Sequence, residues 1–305
     1  MPGWNWQSGY FAEEQHGMKT IGVAGLGNMG RGMALSLQRG GFTVAGFDPS
    51  PAAADNMARE NVQIFASVAA LAAAVDVLIL SLPTSDVVEA VVFGTEGILA
   101  GARPGLLVVD TSTADPASTR KVAAALAEKS IRFVDAPVSG GPKGAATGTM
   151  TMVLGGSAED VAAVTPVLEA MSAKRVHVGP VGAGHVTKLL NNLMCGAHLI
   201  VAGEAARIAA EAGLDPRQIF EGINAGSGRS GITQANYPTW IFNDAFDSGF
   251  TMKLMRKDLR LAMGLVSELG TAAPLASEVG RLWAASAPVV ADDADFNRIV
   301  QFTGK

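Results

Sequence analysis

Cysteine, tyrosine and histidine are scarce in this chain. Of 305 residues, one is cysteine, two are tyrosine and four are histidine. The single Cys195 forbids an intrachain disulfide and fits a buried free thiol in a reducing, cytoplasmic compartment. His16, His177, His185 and His198 include no pair at the spacing of helical metal ligands, so no metal site is expected. No Gly-x-Ser-x-Gly elbow is present, which removes one signature of a serine nucleophile. Charge is also sparse. Only 17% of residues are charged, the net charge is −5, and no dense Lys/Arg run occurs. That argues against a nucleic-acid surface. No apolar run reaches the roughly 18 uninterrupted residues of a membrane span. The longest candidate, 193–210, is broken by His198, Glu204 and Arg207.

What is abundant is apolar residues, 49% of the chain, together with 36 glycines. The length suggests about two domains with ample core. Residues 1–17 stand apart. They mix Trp4, Trp6, Tyr10 and Phe11 with polar residues and lack the basic start and apolar centre of a secretion signal. A poorly ordered extension is expected there, although the aromatics could pack on the surface, and Met18 could serve as an alternative start.

From residue 18 to about 181, strands and helices alternate. Short apolar runs at 20–24, 43–47, 77–81, 106–110 and 131–136 read as strands of a parallel sheet covered on both faces. Helical stretches lie between them, at 31–40, 51–59 and 116–128 among others. Two further strands are expected at 149–154 and 175–178, around a helix at 158–171. The glycines of 179–184 then break the pattern. Beyond them, 182–305 reads as all-helical: a long helix over 185–212 closed by Gly213, a helix capped by Asp215-Pro216, and helices at 252–269 and 274–287. The fold class is α/β, a Rossmann-type dinucleotide-binding domain followed by an all-helical domain.

The run Gly25-Leu26-Gly27-Asn28-Met29-Gly30 lies between the first strand and the first helix. Each glycine has a physical task. Gly25 permits a tight turn, Gly27 lets the backbone approach a pyrophosphate, and Gly30 lets the helix pack close to the strand. The helix N-terminus offers free N–H groups to phosphates. Asp48, ending the second strand, can accept from ribose hydroxyls and repels a 2′-phosphate. NAD is therefore expected, with NADP as the alternative.

Three other clusters could carry chemistry. Asp135-Ala136-Pro137-Val138-Ser139-Gly140-Gly141-Pro142 ends a parallel strand, where such sheets bind ligands. Ser139, Gly140 and Gly141 suit a small carboxylate, or form an ordinary turn. Lys188 and Asn192 share a helix face. Lys188 reads either as a solvated lysine or as a proton-transfer group beside a dry nicotinamide. Lys257-Asp258 is a surface charge pair or reaches the cofactor from the helical domain.

In order along the chain, Gly-Leu-Gly-Asn-Met-Gly, Asp-Ala-Pro-Val-Ser-Gly-Gly, Gly-x-x-x-Lys-x-x-Asn-Asn and Lys-Asp-Leu together resemble the β-hydroxyacid dehydrogenases of the 3-hydroxyisobutyrate dehydrogenase type. The resemblance runs from residue 18 to about 302. It implies Lys188 as the catalytic acid/base, Asn192 as its helix-mate, and Ser139, Gly140 and Gly141 as the substrate anchor. It also implies cofactor contacts at Gly25–Gly30, Leu82, Pro83, Thr113 and Lys257. The implied reaction passes a hydride between NAD and a small 3-hydroxy acid such as 3-hydroxyisobutyrate, in a homodimer or homotetramer. Arg229, in a stretch that varies with substrate, reads a second polar group or braces a loop. A reductase of tartronate semialdehyde or a related sugar-acid aldehyde is the runner-up. The decarboxylating 6-phosphogluconate dehydrogenases carry His-Asn where this chain has Asn191-Asn192. A non-enzymatic NAD sensor would not need Lys188, and imine reduction on this scaffold usually replaces the lysine.

Overall fold

The computed structural model describes residues 20–302, so the expectations for residues 1–17 lie outside the described residues. In chain order the first part runs β1 (Thr20–Ala24), α1 (Asn28–Arg39), β2 (Thr43–Phe47), α2 (Pro51–Arg59), β3 (Gln63–Ile64), α3 (Val68–Ala74), β4 (Val77–Leu80), α4 (Ser85–Phe93), α5 (Ile98–Gly101), β5 (Leu107–Asp110), α6 (Pro116–Ala127) and β6 (Arg132–Asp135). It continues with β7 (Val138–Ser139), α7 (Gly141–Thr147), β8 (Met150–Gly155), α8 (Ala158–Glu169) and β9 (Ser172–Gly179).

Six strands form one parallel sheet in the order β3-β2-β1-β4-β5-β6. The order reverses between β1 and β4, which opens a crevice at the carboxyl edge. β8 joins β6 antiparallel through Asp135 and Gly155, pairs antiparallel with β7, and carries β9 parallel at its other side. The period of two is visible in the core. Val77, Ile79, Leu107, Val109 and Val134 pack under Met33 and Leu37 of α1 and Val164 and Leu168 of α8. Leu78, Leu80, Val108 and Phe133 face the other way, onto Leu71, Val88, Val92, Val122 and Leu126.

The second part is helical: α9 (Ala183–Glu211), α10 (Pro216–Ala225), a π-helical segment (Ile232–Ile241), α11 (Met252–Leu269), α12 (Pro274–Ala285) and a 3₁₀ turn (Phe296–Gln301). α9 starts earlier than its apolar periodicity predicts. The buried Asp135 carboxylate, at the end of β6, accepts from the N–H of Gly182 at 2.7 Å and of His185 at 2.8 Å, capping the helix from outside it. By length and hydropathy alone α9 would suffice to cross a membrane. It carries Lys188, Glu204 and Arg207, and it packs on α6, β8 and the other helices. Asp215 caps α10 and Gly213, at φ +77°, ends α9, as the sequence predicts.

A third core holds Leu199, Phe220, Tyr237, Met252, Leu259, Trp283 and Ile299. Arg256 is buried inside it. Its guanidinium donates to Asp292 at 2.7 Å, to Ser286 at 2.9 Å and to the Val290 carbonyl at 2.8 Å, tying α11 to the chain after α12. Arg120 of α6 pairs with Glu268 of α11 at 3.0 Å across the two parts.

Candidate active site

The glycine loop between β1 and α1 is shaped by contacts that only glycine allows. A Cβ on Gly30 would stand 1.8 Å from the Gly25 carbonyl oxygen. Gly25 has φ +91°, and a Cβ there would meet the Ser81 carbonyl oxygen at 2.3 Å. Gly27 differs: a Cβ would meet nothing within 4 Å, because its face is open to the crevice. The first turn of α1 has no side-chain cap, so its N–H groups are available to an anion. The residues present therefore fit a dinucleotide: two closed glycines build the turn and one open glycine leaves room for a pyrophosphate.

Asp48 stands where the sequence places it, at the end of β2 beside this loop. Its Oδ2 accepts from the N–H of Leu26 at 2.7 Å and its Oδ1 from that of Ser50 at 2.8 Å. So the Leu26 N–H holds Asp48, and the free donors of the loop come from Asn28, Met29 and Gly30. A carboxylate has lone pairs enough to accept from ribose hydroxyls as well.

The loops after β4 and β5 meet at the same edge. The Leu82 N–H donates to Ser112 Oγ at 3.0 Å, and Lys257 Nζ reaches over from α11 to donate to the carbonyls of Thr113 at 2.9 Å and Pro83 at 3.4 Å. Lys257 is thus no surface charge. It bridges the helical part to both loops.

Beside them lies the polar cluster. Lys188 and Asn192, both on α9, are 9% and 5% exposed, which decides against a solvated lysine. Lys188 Nζ donates to Ser139 Oγ at 3.1 Å. Burial pushes the Lys188 ammonium below its ordinary range, with Asp258 opposing that and Lys257 adding to it. Asn192 Nδ2 donates to Asp258 Oδ2 at 2.6 Å, and Asp258 Oδ1 lies 3.1 Å from Lys257 Nζ. Ser139 and Gly140 are exposed at the mouth. Gly140 at φ +123° and Gly141 at φ +61° make a turn that ordinary residues resist, and α7 starts from it. Ser248 and Gly249 pack against Gly141 and Pro142 from the helical part.

Lys188, Asn192, Ser139, Gly140, Gly141 and Lys257 therefore come together. The sequence offers Asp258, together with Lys257, as a surface charge pair or a reach to the cofactor, without a link to Asn192. Asp258 is 2% exposed and joins Asn192 to Lys257, and only the long-range contact to Asn192 reveals it. Arg229 is exposed, on the loop between α10 and the π-helical segment. Cys195, farther along α9, has its thiol pushed up to about 11 by burial, with Lys188 opposing. Among the described residues no group of three or more His, Cys, Asp or Glu is placed to hold a metal ion.

Comparisons with known proteins show the family. Residues 20–179 match the family model described as the NAD binding domain of 6-phosphogluconate dehydrogenase. Residues 182–303 match the model described as NAD-binding of NADP-dependent 3-hydroxyisobutyrate dehydrogenase. The chain is 38% identical to a probable 3-hydroxyisobutyrate dehydrogenase of Mycobacterium tuberculosis, over 93% of this chain and 97% of that protein. It is 40% identical to 2-(hydroxymethyl)glutarate dehydrogenase of Eubacterium barkeri, over 80% of this chain and 81% of that one. A solved structure of the Mycobacterium tuberculosis 3-hydroxyisobutyrate dehydrogenase with L-serine superposes with a TM-score of 0.87, at 37% identity, covering 93% of this chain and 98% of that one.

Proposed function

The chain belongs to the 3-hydroxyisobutyrate dehydrogenase family of NAD-binding oxidoreductases, and on that premise we propose that it oxidises the hydroxyl of a small 3-hydroxy acid such as 3-hydroxyisobutyrate, or reduces the matching semialdehyde. The observation that carries the reading is the buried Lys188 ammonium 3.1 Å from Ser139 Oγ, at a mouth shared with the cofactor loops. When bound, the nicotinamide accepts or supplies the hydride. Everything else falls to the protein.

Lys188 handles the proton. In oxidation its neutral amine takes the hydroxyl proton of the substrate, and in reduction its ammonium returns one. The downward push from burial raises the neutral fraction at moderate pH. Asn192 is held by Asp258, and its amide oxygen, turned away from that carboxylate, accepts from Asn191 Nδ2 at 3.0 Å and keeps a second lone pair for the lysine or the substrate hydroxyl. Ser139 and the N–H groups of Gly140 and Gly141 receive the carboxylate. Lys257 pins the Pro83 and Thr113 carbonyls, which fixes the two loops that would hold the nicotinamide end of the cofactor. Asp48 favours NAD over NADP by repelling a 2′-phosphate.

We divide the chain at about residue 181 into a nucleotide-binding domain and a substrate domain, and we read it as a cytoplasmic enzyme whose partner is a small carboxylate, not a nucleic acid or a membrane. The exposed Leu190, Met194, Val201 and Ile208 form a stripe along α9, which suits pairing into a homodimer or homotetramer. The decisive experiment is a panel of 3-hydroxy acids, including 3-hydroxyisobutyrate, L-serine and 2-(hydroxymethyl)glutarate, with NAD and NADP, followed at the reduced-nicotinamide absorbance. Turnover of none of them overturns the reading. A higher kcat/KM with NADP overturns the assignment of Asp48.

A further inference from the structure

We infer that His185 is a positioning residue for the cofactor-binding edge: its imidazole locks the Ser112 carbonyl, in the loop after β5, to the helix that carries Lys188. The inference rests on the proposed function only in taking that edge as the nicotinamide site.

His185 is wholly buried, in the first turn of α9 and one turn before Lys188. Its Nε2 lies 3.0 Å from the Ser112 carbonyl oxygen. A carbonyl can only accept, so Nε2 carries a proton. Its Nδ1 lies 2.7 Å from Thr119 Oγ1, and that hydroxyl has a second acceptor in the Asp115 carbonyl at 2.9 Å. One rotation of the hydroxyl therefore satisfies Nδ1 whether or not it is protonated. The charged groups facing the ring come from β5 and β6. Asp110 Oδ2 is 4.0 Å from Nε2 and Asp135 Oδ2 is 4.0 Å from Nδ1. The Nε2–H contact to Ser112 is thus kept in either charge state of the ring.

What that contact holds is a junction. The Ser112 N–H donates to Asp110 Oδ1 at 2.9 Å, and Ser112 Oγ accepts from the Leu82 N–H at 3.0 Å. Its carbonyl takes His185, and the next carbonyl, that of Thr113, takes Lys257 at 2.9 Å. Two consecutive carbonyls are therefore gripped by side chains from two different helices, α9 and α11. Through Ser112 the grip extends to the loop after β4. Loss of the His185 contact leaves a buried carbonyl without its side-chain donor and uncouples both loops from the helix bearing Lys188. The loops, and not the proton-transfer group, would feel it first.

His185→Gln and His185→Asn test this. The glutamine amide reaches to about the position of Nε2, and the shorter asparagine amide only to about that of Nδ1. Dissociation constants for NADH are measured by fluorescence titration without substrate, alongside Tm. His185→Gln should bind NADH within about twofold of wild type, whereas His185→Asn should bind about fivefold or more weakly, the size of one lost hydrogen bond. KM for NAD should rise in His185→Asn while kcat at saturation moves far less. Equal NADH affinities in the two variants, or equal losses, overturn the inference. If His185→Asn does not fold, Thr119→Val decides, because it removes the Nδ1 partner and spares Ser112. NADH affinity kept within about threefold there supports the inference, and any larger loss overturns it. Failure of the wild type itself to bind NADH would instead sink the cofactor reading on which the inference stands.

Discussion

Gly27→Ala separates a cofactor role of the glycine loop from a folding role. The three glycines of that loop are not equivalent. At Gly30 a Cβ would overlap the Gly25 carbonyl oxygen at 1.8 Å, and at Gly25 the φ of +91° already excludes alanine. Gly27 has φ −65° and ψ −166°, which any residue adopts, and a Cβ there meets no protein atom within 4 Å. Alanine at this position should be neutral or slightly stabilising, by about 0.4–1 kcal/mol through the unfolded chain. In a chain of this size that is a rise in Tm of about 1–4 °C. The same methyl enters the space left for a pyrophosphate. Overpacking costs about 1–3 kcal/mol, so NADH should bind roughly 5- to 150-fold more weakly. Thermal melting and NADH titration on one preparation read both numbers. Gly30→Ala is the contrast and should lose Tm. An unchanged NADH affinity in a folded Gly27→Ala protein would refute the reasoning, because the open face of Gly27 would then serve no ligand.

Lys188→Ala should lower kcat by roughly 10²–10⁴, the range for a positioned proton-transfer group, with little change in NADH affinity. In the wild type, oxidation needs the neutral amine, so its rate should fall as pH drops through the Lys188 pKa, on a limb below the ordinary lysine value of 10.5, while reduction should fall as pH rises through it. Asp258→Asn keeps an acceptor for Asn192 but removes the charge that opposes the downward push on Lys188, so the oxidation limb should move to lower pH; a limb that stays or moves up would contradict the role given to Asp258. Ser139→Ala should weaken kcat/KM by about 1.5–3 kcal/mol, the range for a hydrogen bond to a charged group, and the methyl ester of a good substrate should hardly react; equal kcat/KM for acid and ester would refute carboxylate anchoring.

Elements with a long, clean pattern were legible in the sequence. β1, β2, α2 and α11 have the limits expected from apolar runs, Pro at N1 and a closing glycine. Elements defined by partners were not. β3 and β7 are two residues long and exist only through register with β2 and β8. α7 opens on Gly141-Pro142, which reads as a turn. The π-helical segment contains Pro238, a residue that breaks ordinary helix, and its wider turns follow no 3.6-residue pattern.

The site divides along the same line. Each motif was readable where its residues are neighbours in sequence, as in the glycine loop or the Lys188–Asn192 face. The pairs that make the motifs one site are far apart along the chain: Lys188 with Ser139, Asn192 with Asp258, Lys257 with Thr113. No local pattern encodes them, because each depends on where α9 and α11 cross the carboxyl edge of the sheet. That crossing is set at one point. Asp135 caps α9 from the end of β6, so the same strand whose continuation supplies Ser139 also fixes the start of the helix that supplies Lys188. The distance between Ser139 and Lys188 is therefore built into a strand–helix joint. Loss of the Asp135 carboxylate should disturb that distance before it disturbs the cofactor loop, whose Asp48 anchor directly follows β2.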